Sequence, residues 1–175
     1  LEGAGYTWKD HALVDPDGTP VSFTLSVPSG WSDWNTAQEL IAEDVKESIG
    51  AEVKIDMPDW GGWADPRDNG TFSAIIHWLE DSGTAYGLYT STMDPRWISP
   101  EGIAGFNFGR FEDPAATEAL NTYANASSDE ERTASLDTLQ KIFVEQVPAI
   151  PLGAHPLLGQ FNTRNYVGWP SEEDP

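Results

Sequence analysis

The most constraining feature of this sequence is a strand–helix–strand pattern in residues 21–57. Apolar residues alternate along 21–27, which predicts a half-buried strand. The segment 32–49 carries apolar residues on one helical face and is followed by Gly50, as expected for an amphipathic helix and its C-terminal cap. A second alternating segment, 53–57, comes next. Two strands joined through a helix are expected to be parallel, with a right-handed crossover, so the pattern predicts an α/β fold.

The rest of the chain predicts further elements around this unit. A capping residue, Ser32 or Asp33, is expected to start the first helix, and Leu40 is expected on its apolar face. Residues 58–70 are predicted to be a tryptophan-bearing connection that can include a short helical turn, and residues 72–78 a strand. An aperiodic segment rich in Gly and aromatics follows at 84–110. Two helices, capped by Asp113 and Ser128, and a short strand at 149–153 complete the prediction.

Composition excludes several classes of partner. The 175 residues fit one domain, 1–175, and carry a net charge of −20, which repels nucleic acid and anionic lipid. The chain has no cysteine, so disulfides and thiolate metal sites are excluded. No apolar run approaches the ~20 residues that a membrane span needs. Neutral and cationic small molecules remain as possible ligands.

Tryptophan is the strongest compositional signal, at eight residues. Six of them fall mostly at the ends of predicted elements or in connections: Trp31, Trp34, Trp60, Trp63, Trp78 and Trp97. An indole offers a flat apolar face and one donor, which suits stacking on a sugar ring or on the side chains of a peptide. We expect at least two of these rings to line a ligand surface, the others covering the edges of the core.

Two acids follow the predicted strand 72–78. Glu80 and Asp81 could serve as the acid and base of a glycoside hydrolase, as a ligand-binding rim, or as a solvated strand end. Adjacent residues on an extended segment point to opposite sides, so the catalytic interpretation needs a bulge. The three histidines lie far apart in the sequence and outside any known catalytic or metal-binding motif, and no phosphate-binding loop motif is present. The sequence therefore predicts no cofactor, no metal and no catalytic residue.

The order of motifs resembles that of the family 5 extracellular solute-binding proteins, the oligopeptide, dipeptide, nickel and oligosaccharide receptors of ABC importers. The resemblance rests on "LEGAGY", "DPDGTPVSFTL", "IGAEVKI", "NGTFSAIIHW", "FNFGRFEDPAATEAL", "FVEQVPAIPL" and "NYVGWPSEEDP", which occur in this order over essentially the whole chain. It implies an α/β, type II periplasmic-binding-protein-like lobe, with a mixed sheet flanked by helices. The segment corresponds to the C-terminal lobe alone, cut from a longer two-lobed receptor with its two termini close together.

The resemblance also implies function. Such a receptor is extracellular or periplasmic, is anchored as a lipoprotein, binds an oligosaccharide or oligopeptide between its lobes and delivers it to the permease subunits of the importer. It is not an enzyme. The alternative that the residues leave open is a carbohydrate-active enzyme or a stand-alone carbohydrate-binding module.

Candidate ligand-binding residues follow from the resemblance together with the tryptophan signal. In peptide-binding members, an aspartate three residues past the strand-end tryptophan accepts the ligand's amino group, and Trp78 and Asp81 match that pair. Here Glu80 stands where a small residue is usual, whereas the segment 81–93 is more like members that bind oligosaccharides. The full candidate set is Trp60, Trp63, Arg67, Trp78, Glu80, Asp81, Tyr86 and Trp97.

Overall fold

A computed structural model describes residues 1–79, 83–100, 102–103, 105–153, 162–165 and 167–168. The strands are β1 (Thr7–Lys9), β2 (Ala12–Val14), β3 (Ser22–Ser26), β4 (Glu52–Asp56) and β5 (Ala74–Ile75). The helices are α1 (Ser32–Ile49), α2 (Trp60–Asn69), α3 (Ala85–Met93), α4 (Pro114–Asn125) and α5 (Asp129–Gln146), with 3₁₀ turns at Glu2–Ala4 and Pro95–Trp97. The described helices include none that is both long and apolar enough to cross a membrane.

The predicted strand–helix–strand unit is confirmed. β3 pairs in parallel with β4 on one side and with β5 on the other, so the sheet order is β4-β3-β5. β1 and β2 form a separate antiparallel hairpin. Leu25, Val27 and Ile76 form the buried core of the parallel sheet, and Ala37 and Ile41 of α1 pack against them. This packing fixes α1 on one face of the sheet.

The two ends of α1 differ in how well they were predicted. The helix begins at Ser32 itself, with Trp31 in the N-cap position and no capping side chain, so the expectation of a Ser32 or Asp33 cap is wrong. The prediction that Leu40 lies on the apolar face is also wrong, because 57% of this side chain is exposed. Gly50 ends the helix as predicted, at φ 70°. A Cβ there would lie 2.6 Å from the carbonyl oxygen of His11, so glycine is required by both conformation and space.

A second hydrophobic core lies between α3, α4 and α5. Asp113 caps α4 by accepting a hydrogen bond from the Ala116 amide at 2.8 Å, and Ser128 caps α5, both as predicted. Leu120 and Leu139 are 1% and 0% exposed at the centre of this core. The core therefore rests on the two helices whose capping signals are strongest in the sequence.

Four other predictions are corrected. Residues 60–69 form a full helix, because the Asp59 side chain accepts the Gly62 amide at 2.9 Å and starts it, although its apolar periodicity is weak. The segment 84–110 contains α3, whose Ser and Thr hydroxyls donate to carbonyls one turn back instead of breaking the helix. The strand expected at 72–78 is only Ala74–Ile75, and no strand forms at 149–153.

Candidate functional site

Each strand of the parallel sheet is followed, within a few residues, by a tryptophan. Trp31 follows β3, Trp60 follows β4 and Trp78 follows β5. Because the strands are parallel, their carboxyl ends meet at one edge of the sheet, which is where ligands bind in open α/β folds. The sheet topology therefore brings three sequence-distant indoles to the same place.

The three strand-end rings and two neighbours form what we call the tryptophan cluster, made of Trp31, Trp34, Trp60, Trp63 and Trp78. The ring centroid of Trp31 lies 4.9 Å from that of Trp34, 5.8 Å from that of Trp60, 6.0 Å from that of Trp78 and 6.4 Å from that of Trp63. All these separations are within the range of favourable aromatic pairing. The cluster is thus one continuous aromatic assembly contributed by three chain segments.

The tryptophan cluster has a buried base and an exposed rim. Trp63 is 1% exposed, whereas Trp60 is 50% and Trp78 is 44% exposed. The two rim rings are nearly parallel, with planes inclined by 18° and centroids 6.3 Å apart. A buried indole that holds two half-exposed ones in fixed orientations is suited to present flat apolar surface to a ligand.

Arg67 is packed into the side of the cluster. Its guanidinium carbon lies 4.7 Å from the ring centroid of Trp63, 5.9 Å from that of Trp60 and 4.8 Å from that of Phe108. Arg67 is 7% exposed, and its Nε donates to Asp68 Oδ1 at 2.8 Å. Three aromatic faces and one carboxylate thus compensate the cost of burying this cation.

His77 connects the cluster to Phe108. Its Nδ1 hydrogen-bonds the carbonyl oxygen of Trp78, and its ring meets Phe108 edge to face, with centroids 4.7 Å apart. Burial lowers the pKa of His77, and the positive charge of Arg67 lowers it further, although the hydrogen bond to Trp78 opposes the shift. A neutral imidazole must carry its proton on Nδ1 here, because a carbonyl can only accept.

Two buried polar side chains have atoms without a hydrogen-bond partner among the described residues. One is the indole Nε1 of Trp63, at the base of the cluster. The other is the amide of Gln38 on α1, which is 0% exposed and leaves both its nitrogen and its oxygen unpaired. Unpaired buried polar atoms are rare, and burying them without a hydrogen bond costs free energy at these two positions.

The structure brings together four of the eight predicted site residues: Trp60, Trp63, Arg67 and Trp78. Tyr86 lies elsewhere, packed against the helical core with its ring stacked on Tyr123 at 4.4 Å. Trp97 packs edge to face on Phe106 and shares with Arg67 a cavity of about 10 Å³. Glu80 and Asp81 lie outside the described residues, so their roles stay predictions.

Sequence reasoning left four contributors out of the candidate site: Trp31, Trp34, His77 and Phe108. Trp31 had an available signal, because it follows a predicted parallel strand just as Trp60 and Trp78 do. Phe108 had none, since its contact with Arg67 joins two segments far apart in sequence. Within the described ranges, no group of three or more His, Asp or Glu side chains is placed to hold a metal ion.

Comparison with known proteins shows that the chain is similar to solute-binding proteins. No protein-family model matches the chain. It is 29% identical over 161 residues to di/tripeptide-binding protein 2 of Pseudomonas aeruginosa, covering 90% of this chain and 29% of that protein. It is 28% identical over 116 residues to the periplasmic murein peptide-binding protein MppA of Escherichia coli, covering 64% of this chain and 20% of that protein.

The structural match is complete over this chain. The oligopeptide-binding protein of an ABC transporter from Thermotoga maritima, solved with mannohexaose bound, superposes with a TM-score of 0.86 and 27% identity, over 100% of this chain and 33% of that one. The predicted fold class, a lobe of the type II periplasmic-binding-protein kind, is confirmed. The homologues are binding proteins and not enzymes, and this chain spans only about a third of their length or less.

Proposed function

We propose that this chain, a homologue of the solute-binding proteins of ABC importers, is the C-terminal lobe of such a receptor and forms one wall of its ligand cleft. The ligand is an oligosaccharide or an oligopeptide. The receptor is extracellular or periplasmic, anchored as a lipoprotein, and delivers its solute to permease subunits without catalysing a reaction. A second lobe, on chain outside these 175 residues, supplies the opposite wall.

The tryptophan cluster is the observation that carries this proposal. Its rim rings, Trp60 and Trp78, are half-exposed at the carboxyl edge of the sheet, where binding sites of open α/β folds lie. Large apolar side chains are seldom left exposed together unless another molecule covers them. This whole chain superposes on one third of an oligopeptide-binding protein. We propose that the rest of the receptor is arranged as in that protein and faces this edge of the sheet.

The roles within the site follow from exposure. Trp60 and Trp78 contact the ligand, whereas Trp63 and Arg67, at 1% and 7% exposure, hold the rim rings in place. Glu80 and Asp81 come directly after the rim ring of Trp78, so we propose that one of them accepts a hydrogen bond from the ligand. Tyr86 and Trp97 lie outside the cluster and stay predicted ligand contacts.

The test is calorimetric titration of the receptor that contains this chain with a panel of short peptides and oligosaccharides. We expect one class to bind, and Trp78→Ala or Trp60→Ala to weaken binding by ~1–3 kcal/mol, the scale of losing one aromatic hot spot. Trp8→Ala is the matched control, because Trp8 is also about half-exposed (46%) but belongs to β1, outside the cluster. Equal binding by all three folded variants would refute the proposed site, and turnover of a chromogenic glycoside would favour the enzyme alternative.

A further inference from the structure

We infer that the solute recognised by the tryptophan cluster is an uncharged oligosaccharide and not a peptide. This inference rests on the proposed function and narrows it to one class of ligand. It depends on two features of the described residues: the shape of the rim and the pairing of the arginines beside it.

The rim has the shape that pyranose rings require. A sugar ring has a face made largely of C–H groups and an edge made of hydroxyls, so it packs flat on an aromatic ring while its edge stays available for hydrogen bonds. Trp60 and Trp78 present two such rings, inclined by only 18°. An extended peptide instead alternates its side chains and needs separate pockets for them. Two nearly parallel aromatic faces, with centroids 6.3 Å apart, fit successive sugar units better.

Among the described residues, the two arginines on this side of the cluster are already paired within the protein. A short peptide carries an ammonium and a carboxylate, and each needs an opposite charge once it is removed from water. Arg67 is the cation in contact with the cluster, but it is buried, ion-paired to Asp68 at 2.8 Å and covered by the faces of Trp63 and Phe108.

A second arginine on this side, Arg110, is also hydrogen-bonded within the protein. Arg110 donates through Nη1 to the Ser99 carbonyl at 2.9 Å and through Nη2 to the Asp68 carbonyl at 3.1 Å. A peptide carboxylate paired with either arginine would have to break one of these arrangements, whereas a neutral sugar leaves both intact. The described part of the site therefore favours a ligand without charge.

Comparison supports this direction without determining it. The Thermotoga maritima protein that matches this whole chain with a TM-score of 0.86 was solved with mannohexaose bound, although it belongs to an oligopeptide transporter. The relatives in Pseudomonas aeruginosa and Escherichia coli are named for peptides, at 29% and 28% identity. Because one fold serves both classes, the side chains of this chain decide between them.

The inference is tested by calorimetry on the receptor that contains this chain, with mannohexaose, cellohexaose, their monosaccharides, trialanine and hexaalanine as probes. We expect a hexasaccharide to bind, its monosaccharide to bind at least about tenfold more weakly because it covers one ring instead of two, and neither peptide to bind. Raising NaCl to about 1 M should change sugar affinity by less than about twofold, since no charge pair is involved.

Variants identify the site. Trp60→Ala and Trp78→Ala should each weaken hexasaccharide binding by about tenfold or more, with Trp8→Ala within about twofold of wild type. Near-UV circular dichroism verifies that each variant is folded, and Trp78→Phe, which keeps a smaller ring, replaces any alanine variant that is not. Sugar binding that both rim substitutions leave unchanged overturns the assignment to the rim.

The remaining outcomes separate this inference from the function on which it rests. Salt-sensitive binding of a peptide, with no response to the sugars, overturns the oligosaccharide assignment and leaves the receptor function standing. If none of the probes binds to a receptor shown to be folded, the proposed ligand cleft itself is overturned.

Discussion

The guanidinium carbon of Arg67 lies 4.7 Å from the ring centroid of Trp63, and both side chains are almost completely buried. The cation is also ion-paired to Asp68, whose side chain is only 16% exposed. Arg67 thus supports the base of the tryptophan cluster instead of facing solvent. Its removal would affect the ring packing and leave the partly buried carboxylate of Asp68 without its partner.

Replacing Arg67 with methionine should therefore destabilise the fold. The lost cation–π contacts alone are worth about 0.5–2 kcal/mol, and the unpaired Asp68 adds to the loss. Urea unfolding measures the change. Arg132→Met is the control, because that arginine forms a surface pair with Asp129, whose side chain is 95% exposed, and should cost about 0–1 kcal/mol. Equal losses in the two variants would show that Arg67 is not a structural support of the cluster.

Gln38→Met should stabilise the protein. Gln38 is 0% exposed and both polar atoms of its amide lack a partner among the described residues, so its burial costs about 1–3 kcal/mol that a methionine of similar length avoids. The free energy of unfolding should rise by part of this amount. Gln140→Met on the exposed face of α5 is the control and should have little effect. A loss of stability in Gln38→Met would indicate that the amide is hydrogen-bonded to buried water in solution.

His77 should make stability depend on pH. Its folded pKa lies below the ordinary value of 6.5, chiefly because the ring is buried, so the unfolded chain binds the proton more readily. Stability is then fully present above pH 6.5 and falls as the pH drops from 6.5 toward the lowered pKa. Urea unfolding of wild type and His77→Asn at about pH 5 and about pH 7.5 measures this. Asparagine keeps a donor toward the Trp78 carbonyl but cannot titrate, so the pH dependence of the variant should be smaller; an identical dependence would contradict the prediction.

Asp113 should contribute stability that is lost in acid. The backbone hydrogen bond from Ala116, with a further one from the Gln146 side chain, lowers the pKa of this carboxyl below its ordinary value of 3.8. Its contribution is therefore present above pH 3.8 and is lost as the pH falls below that value toward the lowered pKa. Asp113→Ala should cost about 1 kcal/mol at neutral pH. Asp113→Asn retains the cap without the titration, so it should cost less and flatten the acid limb of the unfolding profile; a steeper limb would be inconsistent with this account.

Local signals predicted the parts of the fold that local chemistry controls. The alternation in β3 and β4, the glycine after α1, and the caps of α4 and α5 each act over a few residues, and each was predicted correctly. Helix α2 was missed because its start depends on a single cap at Asp59 and its outer residues carry no clear apolar face. Helix propensity gave little information about α2, because contacts of Trp63 and Arg67 with the rest of the cluster determine how this helix packs.

The candidate site was predictable only where topology could be read from the sequence. Trp78 was predicted from its place at the end of a predicted strand and Trp60 from the resemblance, and Trp31 could have been added by the strand-end reasoning. The ring contacts of Arg67 with Phe108 and the hydrogen bond from His77 to Trp78 could not, since they depend on how separate segments pack in three dimensions. The position of Tyr86 away from the cluster could not be foreseen, because the helix that carries it was not predicted.

The placement of one tryptophan after each parallel strand has a consequence for sequence variation. Trp31, Trp60 and Trp78 all lie outside the strands that build the sheet, and none of them belongs to the core of Leu25, Val27 and Ile76. Substitutions at these three positions therefore alter the aromatic edge of the sheet while leaving the strands and their core residues unchanged, so the same scaffold can carry a different set of ring faces.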